Sequence, residues 1–425
     1  MPIEDPTLRN AREAELATYA NDIAAAIRPT AARYDRTGEF PFEHFEILRH
    51  KGALGLTVPE EYGGRGLSLY ETLLVQERIA GASGATALAL GWHLMTFFGL
   101  STTRAWDEAV FERVCRDAVE RGELINVFAT ERDAGNVVRG FKPTTVARRH
   151  GDGYVISGRK AFSTLAPAVN HFTVLAHIEE DDQTAEFLVR KSARVRIVET
   201  WDSLGMRSTG SHDVELDDVE VPADALLVRL EKGKPSRFMA CSSAYSLQLP
   251  AIYLGIAIAA RDFILDFADS RFAPSLGSVI LDAPQVQHKI GEIEILIGVS
   301  KSLLYGLAER WDRHDDLKDK LGSEVAITKY AVTNNAIRIV ELAMQIAGGH
   351  ALSRDLPLER HFRDVQCGLY NPPHNDMVID RVAREAIARQ RADRNPSAVI
   401  PITPTPQGPD RTAHTATTRS SEAIA

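Results

Sequence analysis

The sequence is short of cysteine and of long apolar runs, and each shortage excludes a class of protein. Its 425 residues include three widely spaced cysteines (Cys115, Cys241 and Cys367), which offer neither a disulfide framework nor a metal motif. Scattered free cysteines are typical of a reducing compartment, so we expect a cytoplasmic protein without a metal site. The longest apolar run, Leu249–Ala260, is well below the roughly 20 residues of a membrane span, which predicts a buried helix and no membrane partner.

Positive charge is also scarce, with 49 Lys and Arg against 58 Asp and Glu, a formal net charge of −9. No basic stripe is available to neutralise phosphates, so we expect no nucleic-acid partner. The amino terminus is charged from the outset (Glu4, Asp5, Arg9), unlike a secretory signal. The length predicts two or three domains at about 100–200 residues each.

Apolar periodicity divides the chain into three structured regions and a tail. Residues 1–120 have helical spacing, interrupted by the Pro- and Gly-containing loop Val58–Gly66. Residues 121–234 contain short runs of Val, Ile, Thr and Phe between turns, which predicts a β domain. Long helices typical of a bundle follow over residues 235–392. Residues 393–425 are rich in Pro, Thr and Ser and are expected to be disordered.

Several elements can be predicted individually. Thr144–Ser157 reads as a β-hairpin around Gly151-Asp152-Gly153, and His171–His177 reads as another strand. The predicted long helices are Ser246–Ala268, Val286–Arg313, Ser323–Ile346 and Met377–Arg391. The third of these stops at Gly348-Gly349, where glycine can adopt the conformation that ends helices.

Five motifs occur in order over residues 10–390. They are the V-P-E-E-Y-G-G loop at Val58–Ser68, the segment Phe128–Asn136, the D-G-Y-x-x-x-G-x-K segment at Asp152–Thr164, Leu204–Arg207 followed by Val219–Pro222, and Gln345–Gly349 followed by Pro357–Asp364. These motifs resemble those of the acyl-CoA dehydrogenase superfamily of flavoproteins, in which the second is a flavin-cradling T-E-P-x-A-G-S loop. Any one would be a weak signal, but five in order are strong. The resemblance implies an α+β, mostly α fold with an N-terminal helical domain, a middle β-barrel domain and a C-terminal four-helix bundle.

The resemblance further implies a bound flavin, FAD with FMN as the alternative, and a homo-oligomer that is commonly a tetramer. Phe162 would give the isoalloxazine an apolar wall, Thr164 would donate toward N5, and Thr130 would address the pyrimidine edge. The other cofactor-binding positions implied by the resemblance are Phe128, Asn136, Arg271, Gln345, Gly348 and Gly349. Of these, Arg271, Gln345 and the two glycines would reach the flavin of a neighbouring subunit.

Each of these residues also has a purely structural interpretation. Thr164 reads equally as an ordinary strand threonine, and Phe162 as a core aromatic. Gly348-Gly349 reads as a helix C-cap. Arg271 reads as a surface ion-pair partner, and Phe272-Ala273-Pro274 after it departs from the family's usual pattern.

The catalytic base of this family has no counterpart here. A dehydrogenase needs a carboxylate to remove the α-proton of a thioester while flavin N5 accepts the β-hydride. Most relatives carry that glutamate in a Y-E-G-T motif, which corresponds to Tyr370–Pro373, so Asn371 occupies its position. A minority carry it on the helix that begins near Ser243, where this chain has Tyr245. Both known positions therefore lack a carboxylate.

Three interpretations of this absence stay open, and the superfamily as a whole favours the first. In it, the chain desaturates the α,β bond of an acyl thioester with FAD and an electron-transfer partner, using a base from elsewhere. Asp376 and His374 are the nearest candidates, and Glu131 and Asp133 are further ones.

In the second interpretation, the chain is a two-component monooxygenase that acts on another small organic substrate. It would receive reduced flavin from a separate reductase and use a C4a-hydroperoxyflavin. Gly91-Trp92-His93-Leu94 and Leu369–Pro372 resemble segments of the dibenzothiophene-monooxygenase-like branch, which makes His93 and Tyr370 candidate catalytic residues beside Asp376. His93 also reads as a core histidine among aromatic residues, and Tyr370 as a packing residue. The third interpretation is a member that keeps the fold but has lost the chemistry.

Overall fold

The computed structural model describes residues 5–133, 135–136, 142–231 and 242–394. The side chains of Gly135, Asn136, Ser242, Ser243, Tyr245 and Asp319 lie outside this description, as do Cys241 and the whole of 395–425.

The N-terminal region is helical, as predicted. Its helices are α1 (Ala11–Thr37), α2 (Phe42–His50), α3 (Leu69–Ala80), α4 (Gly84–Thr103) and α5 (Glu108–Arg121). Helix α3 begins at a capping box in which Ser68 accepts from the Glu71 N–H and the Glu71 side chain accepts from the Ser68 N–H. Helix α4 is apolar on every side and almost wholly buried, as expected of a helix enclosed by other elements.

The middle region is a β domain with one main sheet and a separate pair of two-residue strands, β2 and β3. The strands are β1 (Ile125–Phe128), β2 (Thr130–Glu131), β3 (Gly135–Asn136), β4 (Val146–His150), β5 (Gly153–Lys160), β6 (His171–Ile178), β7 (Gln183–Arg190), β8 (Val195–Val198), β9 (Asp213–Val221) and β10 (Leu226–Arg229). In the described residues the sheet order is β10-β7-β6-β4-β5-β9-β8, with β1 parallel to β6. The predicted hairpin is confirmed, because β4 and β5 pair antiparallel from Val146–Ser157 to His150–Gly153.

The C-terminal region returns to long helices. They are α6 (Ser242–Ser270), α7 (Pro284–Arg313), α8 (Gly322–Ala347), the short α9 (Leu358–Gln366) and α10 (Asn375–Arg394). After α6, two strands of two residues each, β11 (Phe272–Ala273) and β12 (Ser278–Val279), form a small antiparallel hairpin. Helix α8 ends where predicted, since Gly348 has φ +60°. Asp393 and Arg394, the first residues of the predicted disordered tail, belong to α10, and the rest of that tail lies outside the described residues.

One continuous cluster of buried side chains runs through the N-terminal helices, the sheet and the long C-terminal helices, and a smaller one lies against α5. Within this core, β1 of the middle domain packs against α4. Residues 379–394, the rest of the last helix, form a compact unit of their own. Among the described residues, no helix combines the length and the apolar content of a membrane span.

Candidate active site

Phe162 follows β5 and presents an open aromatic face. Its φ of +54° is left-handed, a conformation that costs a non-glycine residue about 1–2 kcal/mol. The ring is 57% exposed, lies edge-on to Trp201 at 6.3 Å between centroids, and has the Arg132 guanidinium 6.0 Å from its centroid. A strained backbone that turns an apolar ring outward is typical of a functional position. In the single chain, this ring is available for stacking.

Thr164, two residues further on, is held from behind rather than exposed. Its side chain is 7% exposed, and its hydroxyl lies 2.8 Å from the Ser211 hydroxyl. Ser211 in turn lies 2.7 Å from the Thr209 hydroxyl, which donates to the Met206 carbonyl at 3.1 Å. Neither Thr209 nor Ser211 was identified from the sequence, although both follow the recognised Leu204–Arg207 segment.

A buried ion pair fixes the strand end that carries Phe162. The Lys160 ammonium donates to Glu131 at 2.5 Å and to the Leu175 carbonyl at 2.8 Å, and both charged side chains are inaccessible to solvent. Glu131 also accepts from the backbone and hydroxyl groups of Thr144 and Thr145. Lys160 and these hydrogen bonds lower the pKa of Glu131 to about 2, against the opposing effect of burial. Glu131 is therefore an ionised structural carboxylate, and its candidacy as a base was wrong.

The other predicted residues of the cradle loop lie beside this strand end. Phe128 is a core residue, stacked on Phe172 at 4.7 Å, so its ring offers no free face. Thr130 is half-buried, and its carbonyl accepts from the Ala161 N–H at 2.8 Å, which places it next to Phe162. The backbone of Asn136 pairs with Thr130, while its side chain lies outside the described residues. The loop thus reaches the candidate site through Thr130.

The predicted phosphate-binding residues lie at the far ends of α6 and α8. Gln345, Gly348 and Gly349 are exposed, and a Cβ at either glycine would meet open space. The exposed Arg271 side chain lies 2.5 Å from the His350 ring nitrogen and 5.3 Å from the Phe267 ring centroid. Arg271 and His350, which was missed in the sequence, thus form a solvent-facing polar pair, and the exposed Gln345 lies five residues before His350 at the end of α8.

Asn371, at the position where the resemblance places the family's glutamate, is held by a hydrogen bond within the chain. The side-chain oxygen of Asn371 accepts a hydrogen bond from the hydroxyl of Tyr253, a fully buried residue of α6. Tyr370 next to it is 73% exposed, so its ring does not pack within its own chain. Asp376 and His374 are exposed at the start of α10. Their proposed roles as bases remain predictions.

His93 belongs to the core. Its Nε2–H donates to the Leu54 carbonyl at 2.9 Å, and its Nδ1 accepts from the Ile125 N–H at 3.1 Å. Burial lowers its pKa to about 4. Both ring nitrogens are occupied by backbone groups of two other elements, so the geometry contradicts a catalytic role and favours the core interpretation.

One group of residues has metal-ligand chemistry, although the sequence predicted none. His171 Nε2 lies 2.7 Å from Glu123 and 3.2 Å from Asp117. Both carboxylates also pair with arginines, Asp117 with Arg121 at 3.1 Å and Glu123 with Arg190 at 2.8 Å. The cluster joins the end of α5 to β6 as an ion-pair network.

These residues fit a flavin on independent grounds. Phe162 offers a flat apolar face, Thr164 a hydroxyl at its edge, and Arg271 a cation for a pyrophosphate. Gly348 and Gly349 leave room for phosphate oxygens beside the backbone. Ser163, between the wall and the hydroxyl, has a buried side-chain oxygen without a partner among the described residues. Such an orphaned polar atom is expected where a ligand completes the hydrogen bonding.

Comparisons with known proteins agree with this reading. Family models match all three regions: the acyl-CoA dehydrogenase N-terminal domain at residues 11–106, the middle domain at 126–219 and the C-terminal domain at 247–370. The chain is 39% identical over 366 residues to the putative acyl-CoA dehydrogenase YdbM of Bacillus subtilis, covering 86% of this chain and 94% of that protein.

Two further similar proteins carry names other than acyl-CoA dehydrogenase. The chain is 32% identical to the L-evernosamine nitrososynthase of a Micromonospora species, over 87% of this chain and 90% of that protein. The structure of KijD3 in complex with FMN and a dTDP-linked amino sugar superposes with a TM-score of 0.78 at 26% identity, covering 89% and 95% of the two chains. The expected fold is confirmed, and this chain belongs to the acyl-CoA dehydrogenase family of flavin-binding oxidoreductases.

Proposed function

We propose that this oxidoreductase works without an α-proton base, as a two-component monooxygenase on a small organic substrate. The observation that carries the proposal is Asn371, which stands at the position of the usual glutamate and accepts the Tyr253 hydroxyl. An amide has no basicity near pH 7, and this one is already bonded. The site is therefore built to hold a substrate rather than to take a proton from it.

The other carboxylates near these motifs do not replace the glutamate. The Glu131 carboxylate pairs with Lys160 and accepts four further hydrogen bonds from Thr144 and Thr145. Asp133 and Asp376 are exposed. An exposed carboxylate is a poor base for a carbon acid, because catalytic carboxylates usually gain basicity from burial.

The chain's own residues would orient the reactants and exclude water. A bound flavin would supply two electrons to dioxygen, so that one oxygen atom enters the substrate and the other leaves as water. Phe162 would hold the ring system, Thr164 would hold the N5 edge, and the Tyr253–Asn371 pair would present a fixed polar group. The buried surfaces of α4 and α6 would keep the pocket dry, as such chemistry requires.

We further infer a homo-oligomer in which Arg271 and Gln345 contact a neighbouring subunit's flavin. Helix α7 leaves an apolar ridge of Ile295, Val299 and Leu303 exposed at helical spacing. Such a ridge is expected where helices of two copies pack. The flavin would be FAD or FMN, the reductant a separate flavin reductase, and the location cytoplasmic.

A second candidate is the desaturation of an acyl thioester, favoured by the 39% identity to a putative acyl-CoA dehydrogenase. It would use Asp376 or His374 as the base and an electron-transfer protein as the acceptor. Asp376→Asn tests it, with Asp380→Asn on the same helix as the matched control. A full rate of desaturation in Asp376→Asn would remove that residue as the base.

Two measurements on the purified flavoprotein separate the candidates. Anaerobic mixing with a panel of acyl-CoAs should leave the flavin absorbance unchanged, whereas reduced flavin from an external reductase should support oxygen uptake that depends on an added organic substrate. Bleaching of the flavin by an acyl-CoA would overturn the monooxygenase proposal. A colourless protein that takes up neither FAD nor FMN would indicate the third interpretation, a member without chemistry.

A further inference from the structure

Three buried hydroxyls behind Phe162 form a single line. Thr164, Ser211 and Thr209 are 7%, 5% and 0% exposed, and their oxygens are separated by 2.8 and 2.7 Å. The line ends at the Met206 carbonyl, 3.1 Å from the Thr209 oxygen. Each hydroxyl has one hydrogen to donate and lone pairs to accept. When each of the three groups donates along the line, the line therefore runs in one direction or the other.

The two directions present opposite faces to whatever lies in front of Thr164. If Thr209 donates to Met206, then Ser211 donates to Thr209 and Thr164 donates to Ser211, which leaves a lone pair of Thr164 facing outward. If the line is reversed, Thr209 donates to Ser211, Ser211 donates to Thr164, and Thr164 has its hydrogen free to donate outward. Because the line is buried, water is not available to satisfy a group that loses its partner.

We propose that this line is a reversible hydrogen-bond relay that adapts Thr164 to both redox states of the flavin and favours the reduced one. The proposal rests on the flavin assignment above and not on the choice of reaction. N5 of an oxidised flavin accepts a hydrogen bond, whereas the reduced ring carries a hydrogen on N5 and donates one. Thr164 can serve both only if its partner Ser211 reverses with it, which makes Ser211 and Thr209 positioning residues.

The preference for the reduced state follows from counting bonds. Toward an oxidised flavin the relay makes three hydrogen bonds: Thr209 to Ser211, Ser211 to Thr164, and Thr164 to N5. With a reduced flavin the relay runs the other way and makes four hydrogen bonds. They are N5 to Thr164, Thr164 to Ser211, Ser211 to Thr209, and Thr209 to the Met206 carbonyl. The Met206 carbonyl also accepts from Trp201 Nε1 and from the Thr209 N–H, each at 3.2 Å, and the Thr209 hydroxyl at 3.1 Å is the nearest of its three donors. The extra buried bond stabilises the reduced form.

Ser211→Ala and Thr209→Val each interrupt the relay without touching the flavin. In both variants Thr164 can still donate to an oxidised flavin. When Thr164 accepts from a reduced flavin, however, one hydroxyl hydrogen has no acceptor: that of Thr164 in Ser211→Ala and that of Ser211 in Thr209→Val. The reduced form should therefore lose affinity about tenfold relative to the oxidised form. For a two-electron couple, this lowers the midpoint potential of the bound flavin by about 30 mV.

The test is the midpoint potential of the flavin-loaded full chain without substrate, measured by equilibration with a redox dye. Thr173→Val is the control, because Thr173 is a fully buried threonine of strand β6 that lies outside the relay, and the potential of this variant should equal that of the parent. Potentials of Ser211→Ala and Thr209→Val within about 5 mV of the parent, or above it, would overturn the relay. Failure of the parent to bind a flavin would instead overturn the flavin assignment itself.

Discussion

The two groups of predicted flavin contacts differ in how far one chain completes them. Around Phe162 and Thr164, nearly every polar atom behind the surface has a partner, and the ion pair of Lys160 with Glu131 is inaccessible to solvent. Around Arg271 and Gln345, the side chains face solvent and the glycines face open space. The first region, here the built wall, is fixed by folding. The second, the open patch, has residues suited to a ligand but little that holds them in place.

This difference predicts that mutations in the built wall affect stability and flavin binding together, whereas mutations in the open patch affect flavin binding alone. It also agrees with a site shared between subunits, since a patch that contacts a neighbour's flavin need not be preorganised within its own chain.

Removing one cation from each region should give the clearest contrast. Lys160→Met leaves the Glu131 carboxylate buried without its partner, which should lower the free energy of unfolding by about 3–5 kcal/mol. Arg271→Met removes an exposed group and should leave the melting temperature of the flavin-free protein within about 1 °C. Thermal unfolding of both flavin-free variants measures the difference. Equal melting temperatures would remove the distinction between the built wall and the open patch.

Acid should destabilise the folded interior that supports the built wall. His93 has a pKa of about 4 in the folded chain against 6.5 unfolded, because burial disfavours its charged form. Its folded pKa is lowered, so the unfolded state binds the proton first, and stability is lost as the pH falls from 6.5 toward 4. The expected loss is about 3 kcal/mol. Below this window, Glu131, with its pKa of about 2, adds a further loss.

Urea unfolding at intervals between pH 7 and pH 4 measures this dependence. His44 and His361 are also buried, with pKa values lowered to about 4 and about 3, and should contribute in the same direction. His93→Gln should therefore reduce the slope without abolishing it. An unchanged slope in that variant would show that His93 is not held neutral.

Flavin retention should separate the regions at the level of binding. Gln345→Ala should weaken flavin binding about tenfold, the loss of about one hydrogen bond, and leave the flavin-free melting temperature unchanged. Thr164→Val should weaken binding and also lower the melting temperature, because Ser211 loses a buried partner. The flavin-to-chain ratio after dialysis and the melting curve of each flavin-free variant provide the two readouts. Unchanged flavin occupancy in both variants would contradict the site assignment.

The parts of this molecule that could be predicted from the sequence are those set by local spacing. Helical periodicity located the long C-terminal helices to within a few residues, and the turn at Gly151–Gly153 located the β4–β5 hairpin. The short pairing of β11 with β12 was missed, because two residues on each side carry no periodicity.

The site divides along the same line. Motifs indicated Phe162, Thr164 and Arg271, but not what lies behind them. Ser211 is 47 residues from Thr164, so their contact depends on the pairing of β5 with β9 and not on any local pattern. His93 shows the converse error, since its motif suggested chemistry while its two nitrogens bind backbone groups 39 and 32 residues away. Sequence spacing does not reveal which hydrogen bonds a side chain has already formed.

The apolar ridge of α7, formed by Ile295, Val299 and Leu303, extends the contrast to the surface of the chain. Gly298 lies within this helix, next to Val299, and a Cβ added there would meet nothing within 4 Å in the single chain. Gly298→Ala should therefore stabilise an isolated chain by about 0.5–1 kcal/mol through helix propensity alone. If the ridge packs against a second copy, the same methyl group should weaken the oligomer, because close helix packing leaves no space for it. Sedimentation of parent and variant over a dilution series distinguishes these outcomes. Gly277→Ala, at an exposed turn outside the ridge, is the control for the oligomer alone, because alanine is strained at the φ of +71° found there. An unchanged oligomer in Gly298→Ala, together with a raised melting temperature, would show that this part of α7 faces solvent in the assembled protein.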